Sequence, residues 1–275
     1  MKINIPNDWL GEPIEGSMEK VLAKQNAKEQ PKEEPRIIVP SSDIENPENY
    51  LILERKTYEP LLVSMYRLGY NDDVEKAAKA LGLNVAHRAE ENNGREYAGR
   101  LNWEQALRLN LSLGNFTLNP REFADFLLML KSGNGFDGKG NRVDGRKLNE
   151  ILDEIMGVRS PWRGEHLDAS FKKMADKFTI DYGHRLANGQ LIAINSEPLE
   201  EHLREDCKVD LSSFNKHGLP TKEGNDFDYW YPRCNQLPVN VARFGADSGG
   251  ADLVCDRDPT DTDVALGVRP ARLKK

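Results

Sequence analysis

Apolar positions along the chain change period once, from helical spacing before Pro161 to strand-like alternation after it. Leu61, Leu62, Met65 and Leu68 recur at helical spacing and predict a helix over 58–68. An alanine-rich stretch behind Asp72, a capping residue, predicts a second helix as far as Leu81, with Gly69 and Gly82 as the stops. Asn102 can cap a helix that begins at Trp103 and carries Ala106, Leu107, Leu109, Asn110 and Leu113 to a stop at Gly114. Asn119-Pro120 opens the next, because proline suits the first helical position, and Phe123, Phe126, Leu127 and Leu130 form its apolar stripe up to Gly133. A glycine-rich turn region over 134–145 leads to one more amphipathic helix over 147–156.

Beyond Pro161, residues 178–182 and 190–194 alternate around Ala187-Asn188-Gly189, and the Asn-Gly pair marks a hairpin between them. Further strands are predicted over 229–231, 239–244, 251–255 and 265–269. Helices first and strands last give an α+β domain over 95–275, preceded by a helical extension over 37–94. Residues 1–36 are expected as a flexible arm or frayed helix, since the Glu, Lys, Gln, Ala and Pro that dominate 11–36 bury too little apolar surface to offset chain entropy. Ile37-Ile38-Val39-Pro40 is expected to lie extended against the body.

Composition narrows the function. With 38% hydrophobic and 30% charged residues the chain can build a core, whereas a mean hydropathy of -0.67 argues against a membrane protein. No apolar run approaches the roughly 20 residues that span a bilayer, and the start carries no apolar leader segment. The expectation is a cytoplasmic protein without membrane insertion, or a virion-surface component if the source is viral. A net charge of -7 leaves no basic field to gather phosphates, so nucleic acid is not an expected partner. Cys207, Cys234 and Cys255 are odd in number and widely spaced; they fit buried thiols better than a disulfide framework or a zinc knuckle. His87, His166, His184, His202 and His217 show no catalytic or metal-ligand spacing and are expected as surface or hydrogen-bonded groups. Trp103, Trp162 and Trp230 are expected in the core. No catalytic residue, metal site or cofactor is implied, and the chain reads as a binding protein, not an enzyme.

The C-terminal segment is unusual. From Phe244 two sets interleave: Ala246, Ser248, Ala251, Leu253, Cys255 and Pro259 are small, apolar or turn-forming, and Gly245, Asp247, Gly249, Asp252, Val254, Asp256 and Asp258 alternate with them. A period of two places each set on its own face. Asp and Gly are poor strand formers and clustered aspartates repel, so local folding energetics is not expected to have selected the second set. An exposed acidic loop is the plain alternative. Asp252, Asp256, Asp258, Asp261 and Asp263 could also supply oxygen ligands to calcium, but their spacing follows neither an EF-hand loop nor a glycine-rich nonapeptide repeat.

Trp230-Tyr231-Pro232-Arg233, Asn240-Val241-Ala242-Arg243-Phe244, Ala246-Asp247-Ser248 and Ala265-Leu266-Gly267-Val268-Arg269 together resemble the variable proteins of diversity-generating retroelements, in particular those of archaea and archaeal viruses. Leu101-Asn102-Trp103-Glu104-Gln105-Ala106-Leu107 with Asn119-Pro120-Arg121-Glu122-Phe123 is similar to the helix pair that opens their fold, and Ser160-Pro161-Trp162-Arg163-Gly164-Glu165 to its Trp-containing strand entry. Relative to that pattern, Cys234-Asn235-Gln236-Leu237-Pro238-Val239 lengthens the loop before the variable region. The resemblance covers about Arg95 to Arg272. It implies a C-type-lectin-like fold of the formylglycine-generating-enzyme type, two helices flanking a small antiparallel sheet, with the variable region near 240–272. It also implies mutation directed to template adenines, which turns asparagine-type codons into those for Asp, Gly, Val, Ser or Thr. The implied contact residues are Gly245, Asp247, Gly249, Gly250, Asp252, Val254, Asp256, Asp258, Asp261 and Asp263, facing solvent toward a macromolecular ligand, most naturally a protein. A formylglycine-generating-enzyme-like or calcium-dependent lectin-fold domain is the alternative.

Overall fold

A capping side chain ahead of an apolar stripe marks the start of each described α-helix in the structure, a computed structural model that describes residues 45–56, 58–89, 94–174, 177–233 and 237–274. The arm over 1–36 and the patch over 37–40 lie outside those residues. Helix α1 (Asp72–Ala80) starts from Asn71, one residue before the expected cap, with the Asn71 side chain accepting the Val74 N–H at 2.9 Å. In α2 (Trp103–Ser112) and α3 (Pro120–Lys131) the caps are reciprocal: Asn102 pairs with Gln105 and Asn119 with Glu122, so two otherwise orphan donors are satisfied at each start. Gly114 and Gly133, at φ 73° and 67°, end these helices in the left-handed region that only glycine enters without penalty. Asp144 caps α4 (Gly145–Met156). No described helix is long and apolar enough to cross a membrane.

The helix expected over 58–68 is not there. Leu61–Ser64 is instead strand β2, antiparallel to β1 (Tyr50–Leu53) on one side and to β16 (Pro270–Leu273) on the other, and β16 also pairs with β5 (Phe116–Thr117). All four β2 residues are buried, and a short run that is apolar on both faces carries no period that separates strand from helix. The segment read as a helical extension therefore contributes two strands to a sheet that also contains the C-terminal strand.

The larger sheet follows the path β10 (Asn195–Pro198), β7 (Lys177–Tyr182), β6 (Arg163–Met174), β13 (Val239–Asp247), β14 (Gly250–Arg257), β12 (Phe227–Trp230), β11 (Cys207–Val209). An eighth strand, β15 (Leu266–Gly267), pairs with β6. The sheet is thus larger than expected and mixed, not antiparallel throughout: β12 runs parallel to β14 and β15 parallel to β6. Neither pair arises from a βαβ crossover, because all four described helices precede β6. Its twelve residues let β6 pair with β13 along one side and with β15 and then β7 along the other.

Two small hairpins complete the described chain, β3 (Ala86–Ala89) with β4 (Glu96–Gly99) and β8 (Arg185–Ala187) with β9 (Gln190–Ile192). Asn188 and Gly189 hold φ 52° and 77°, as the expected two-residue turn requires. Such a short turn pairs its immediate flanks, Ala187 with Gln190, so the partner of β9 is β8; residues 178–182 pair with β6 and β10 instead.

One face of the large sheet packs on α3 and α4, joining Phe171, Phe244, Leu253 and Cys255 to Phe123, Phe126, Leu148 and Ile151 in a single core. Charges are buried at its edge. The Arg269 guanidinium donates to both oxygens of Glu165, at 2.9 and 2.6 Å, and to the Ser64 carbonyl at 2.9 Å. Arg163 donates to Glu165 as well, and its Nε lies 2.9 Å from Glu154 of α4. Burial pushes the Glu165 carboxyl up, but Arg269 and Arg163 outweigh it and hold the pKa down to about 2.

Glu165→Gln should leave two guanidiniums short of countercharge and cost about 3 to 5 kcal/mol in denaturant melts. Because the folded carboxyl is depressed below its free value of 4.5, wild type should lose this stabilisation as pH falls toward 2, and the variant should lack that dependence. A variant as stable as wild type at neutral pH would refute the role assigned to the cluster.

Candidate functional site

Alternation along β13 and β14 gives their hairpin two unlike faces. Ala246, Ala251, Leu253 and Cys255 point into the core and are buried, as expected from sequence, and Phe244 joins them there. Two members of that expected set depart from it: Ser248 is exposed at the hairpin turn and Pro259 is half-buried beyond the strand. The opposite face carries Arg243, Gly245 and Asp247 from β13 and Asp252, Val254 and Asp256 from β14. Strand β12 extends it, because Asp228 stands in register with Asp252 and Trp230 with Val254.

The ten candidate contact residues fall into four groups. Asp247, Gly249 and Gly250 form the turn, with the first two exposed; Asp252 and Asp256 are half-buried on the sheet face. Asp258, Asp261 and Asp263 belong to a loop pinned over the start of α2, where the Trp103 N–H meets the Pro259 carbonyl and the Arg100 N–H meets that of Asp263. Gly245 and Val254 do not face solvent. Val254 is 4% exposed, flanked by Trp230 and Arg243 on the neighbouring strands. At Gly245 an added Cβ would come within 2.8 Å of the Asp252 carboxylate and 3.3 Å of the Arg243 guanidinium, so glycine makes room for that ion pair.

The aspartates have local structural roles, contrary to the expectation that folding did not select them. Asp247 accepts the Gly249 N–H at 2.6 Å, Asp258 the Thr260 N–H at 2.8 Å, and Asp263 the Ala265 N–H at 2.7 Å. Each is an Asx turn, the hydrogen bond for which aspartate is favoured at chain reversals. The expected repulsion is offset too. Asp252 lies 3.5 Å from Arg243, Asp256 3.6 Å from Arg233 and Asp261 2.6 Å from Arg257. Burial pushes the Arg243 guanidinium down and neighbouring Arg257 adds to this, while Asp252, Asp247 and Asp261 partly offset the fall. Burial also raises the Asp252 carboxyl, Arg243 counters this, and the charges of Asp247 and Asp228 add to the rise. Among the described residues no group of three or more His, Cys, Asp or Glu is gathered to hold a metal ion.

The three tryptophans expected in the core differ in burial. Trp103 is buried, as expected, with its indole N–H donating to the Leu167 carbonyl at 2.7 Å. Trp162 is half-buried, and the Arg243 guanidinium sits 5.0 Å from its ring centroid. Trp230, expected in the core, is 42% exposed, since Phe227 and Tyr229 take the inward positions of β12 and leave Asp228 and Trp230 outward. That alternation is the signal in the sequence that would have placed it.

All five histidines have a hydrogen-bonding or ionic partner. His166 of β6 is buried: its Nε2 bonds the Leu101 carbonyl at 3.0 Å, and burial lowers its pKa to about 4. Cys255 is buried and its thiol is pushed well above the ordinary range, the opposite of an activated nucleophile. Cys207 is only half-buried, and Cys234 lies outside the described residues. No family model, curated protein or solved structure matches the chain.

Leu253→Ala should cost about 2 to 5 kcal/mol and Val254→Ala about 1 to 3, whereas Asp256→Ala should stay within about 0.5 in denaturant melts. A harmless Val254→Ala would contradict its burial. Independently, since the unfolded chain protonates His166 near 6.5 and the fold only near 4, stability should fall as pH drops through that interval. His166→Gln, which keeps a donor for Leu101, should flatten the fall; an unchanged profile would count against it.

Proposed function

We propose that the chain is a ligand-binding display protein with a C-type-lectin-like fold, and that the outward face of β12, β13 and β14 contacts a protein. The observation that carries this reading is the two-sided hairpin, in which one alternate set is packed in the core and the other, apart from the buried Gly245 and Val254, is outward and half-buried or exposed. Replacements on that outward side leave the core unchanged, which is the arrangement a retroelement-diversified surface needs. The order of elements supports the same reading: a capped helix pair, α2 and α3, precedes a sheet whose last long strands bear the unusual residues.

A protein is the fitting ligand because such a face, with its turn and loop, offers a broad patch and not an enclosed cavity; recognition by proteins uses around 800 Å² per partner. Trp230 supplies the aromatic anchor that the aspartates and glycines lack. The contact set is best drawn at Asp247, Gly249, Asp252 and Asp256, with Asp258, Asp261 and Asp263 at its margin. Gly245 and Val254 are buried, and Gly250, at φ 125°, occupies backbone geometry that other residues rarely adopt.

Two measurements test this. The neighbouring DNA should hold a reverse-transcriptase gene and a near-copy of the 3′ end with adenines opposite the proposed codons, which should end in C or T. For binding, a ligand selected from a displayed protein library should lose affinity when Asp247, Gly249, Asp252 and Asp256 are exchanged together for Tyr, Ser or Asn, while the thermal midpoint shifts little. Unchanged affinity in the exchanged protein would end the proposal.

A further inference from the structure

The outward face of β12–β14–β13 already holds one cation. Arg243 lies 5.0 Å from the Trp162 ring centroid and 3.5 Å from the Asp252 carboxylate, so an indole and a carboxylate together seat a guanidinium. The ring face attracts the cation through its quadrupole, and the acid supplies the countercharge.

The same pair of groups recurs one strand away. Asp228 and Trp230 are alternate residues of β12 and share its outward side, and Asp228 stands beside Asp252 in register. Here the indole is 42% exposed, and among the described residues no cation is stacked on it. The nearest compensation is Lys208, whose ammonium lies 3.5 Å from Asp228 with both side chains largely solvated. Neighbouring carboxylates in register repel: Asp228 and Asp247 both push the Asp252 carboxyl up, against the pull of Arg243. An incoming cation would relieve that repulsion, whereas a phosphate-rich or acidic partner would increase it.

We infer that Trp230 and Asp228 form a docking point for a lysine or arginine side chain of the protein ligand, stacked on the indole and paired with the carboxylate as Arg243 is with Trp162 and Asp252. This rests on the reading of the face as ligand-contacting and names the chemistry of its partner. The anchor indole comes from β12, outside the alternate set of β13 and β14, so exchanges in that set would retune a site whose cation preference stays.

The test titrates the full chain with two capped peptides of equal length, one containing several arginines and the other citrulline in their place, and follows the tryptophan indole N–H resonances. At low ionic strength the arginine peptide should move the Trp230 resonance saturably and the citrulline peptide should not. Trp230→Ala and Asp228→Asn, which should both melt as wild type does, should each bind the arginine peptide about tenfold more weakly. An equal response to both peptides, or arginine binding insensitive to both variants, would overturn the inference. A selection from a random peptide library separates its failure from that of the underlying reading. Selected ligands that lose binding with Trp230→Ala but are not enriched in Lys or Arg refute the cation preference and leave the ligand face standing. Ligands indifferent both to Trp230→Ala and to exchange of Asp247, Gly249, Asp252 and Asp256 refute the face itself.

Discussion

Glu165, Arg163 and Arg269 are almost wholly removed from water where β6, α4 and the C-terminal segment meet. Buried charges of this kind add little net stability, because desolvation cancels much of their attraction, but separating them leaves an unpaired ion in the interior. The penalty for breaking the cluster therefore fixes which segments lie together. Arg269 reaches Glu165 of β6, Glu154 of α4 and the Ser64 carbonyl at the end of β2, so one guanidinium joins four stretches of chain. Gly164 and Glu165 are also the residues opposite which Gly245 and Phe244 of β13 pair. The strand that carries the candidate face is thus registered against the most constrained part of β6.

That register allows the hairpin to have two independent sides. Inward, Phe244 packs 5.2 Å from the Phe123 ring of α3 and Leu253 and Cys255 fill the same core, where loss of volume is costly. Outward, the side chains meet mostly one another, through ion pairs that are partly solvated and individually weak. The division is not complete. Val254 is outward by alternation yet covered by its neighbours, and Asp258 and Asp263 hold turns, so availability to a ligand depends on what stands beside a residue as much as on its parity.

The aspartates show why composition misleads here. Asp is a poor strand former, but Asp247, Asp258 and Asp263 lie at a strand end or in a loop, where a side-chain oxygen capping a nearby N–H is favourable. Asp252 and Asp256 stand beside Arg243 and Arg233 from other stretches of chain, and Asp261 beside Arg257, four residues before it. Counting acids along the chain registers their mutual repulsion and misses the cations that neighbouring strands bring to them.

What the sequence determined by itself is whatever a few adjacent residues decide. The caps at Asn102 and Asn119, the stops at Gly114 and Gly133, the Asn188-Gly189 turn and the inward set Ala246, Ala251, Leu253 and Cys255 each rest on contacts within a turn or on strict alternation, and the structure has them all. The tertiary structure decided the matters that depend on distant partners. Leu61–Ser64 is a strand because Ala271, Arg272 and Leu273 pair with it from the far end of the chain, and 178–182 leave the hairpin because β6 offers a longer edge. Gly245 is buried because Arg243 and Asp252 meet above it. A local signal is set by backbone geometry over a few residues, whereas a pairing or a burial is set by competition among all segments for the same core, and that competition leaves no period in the chain to read.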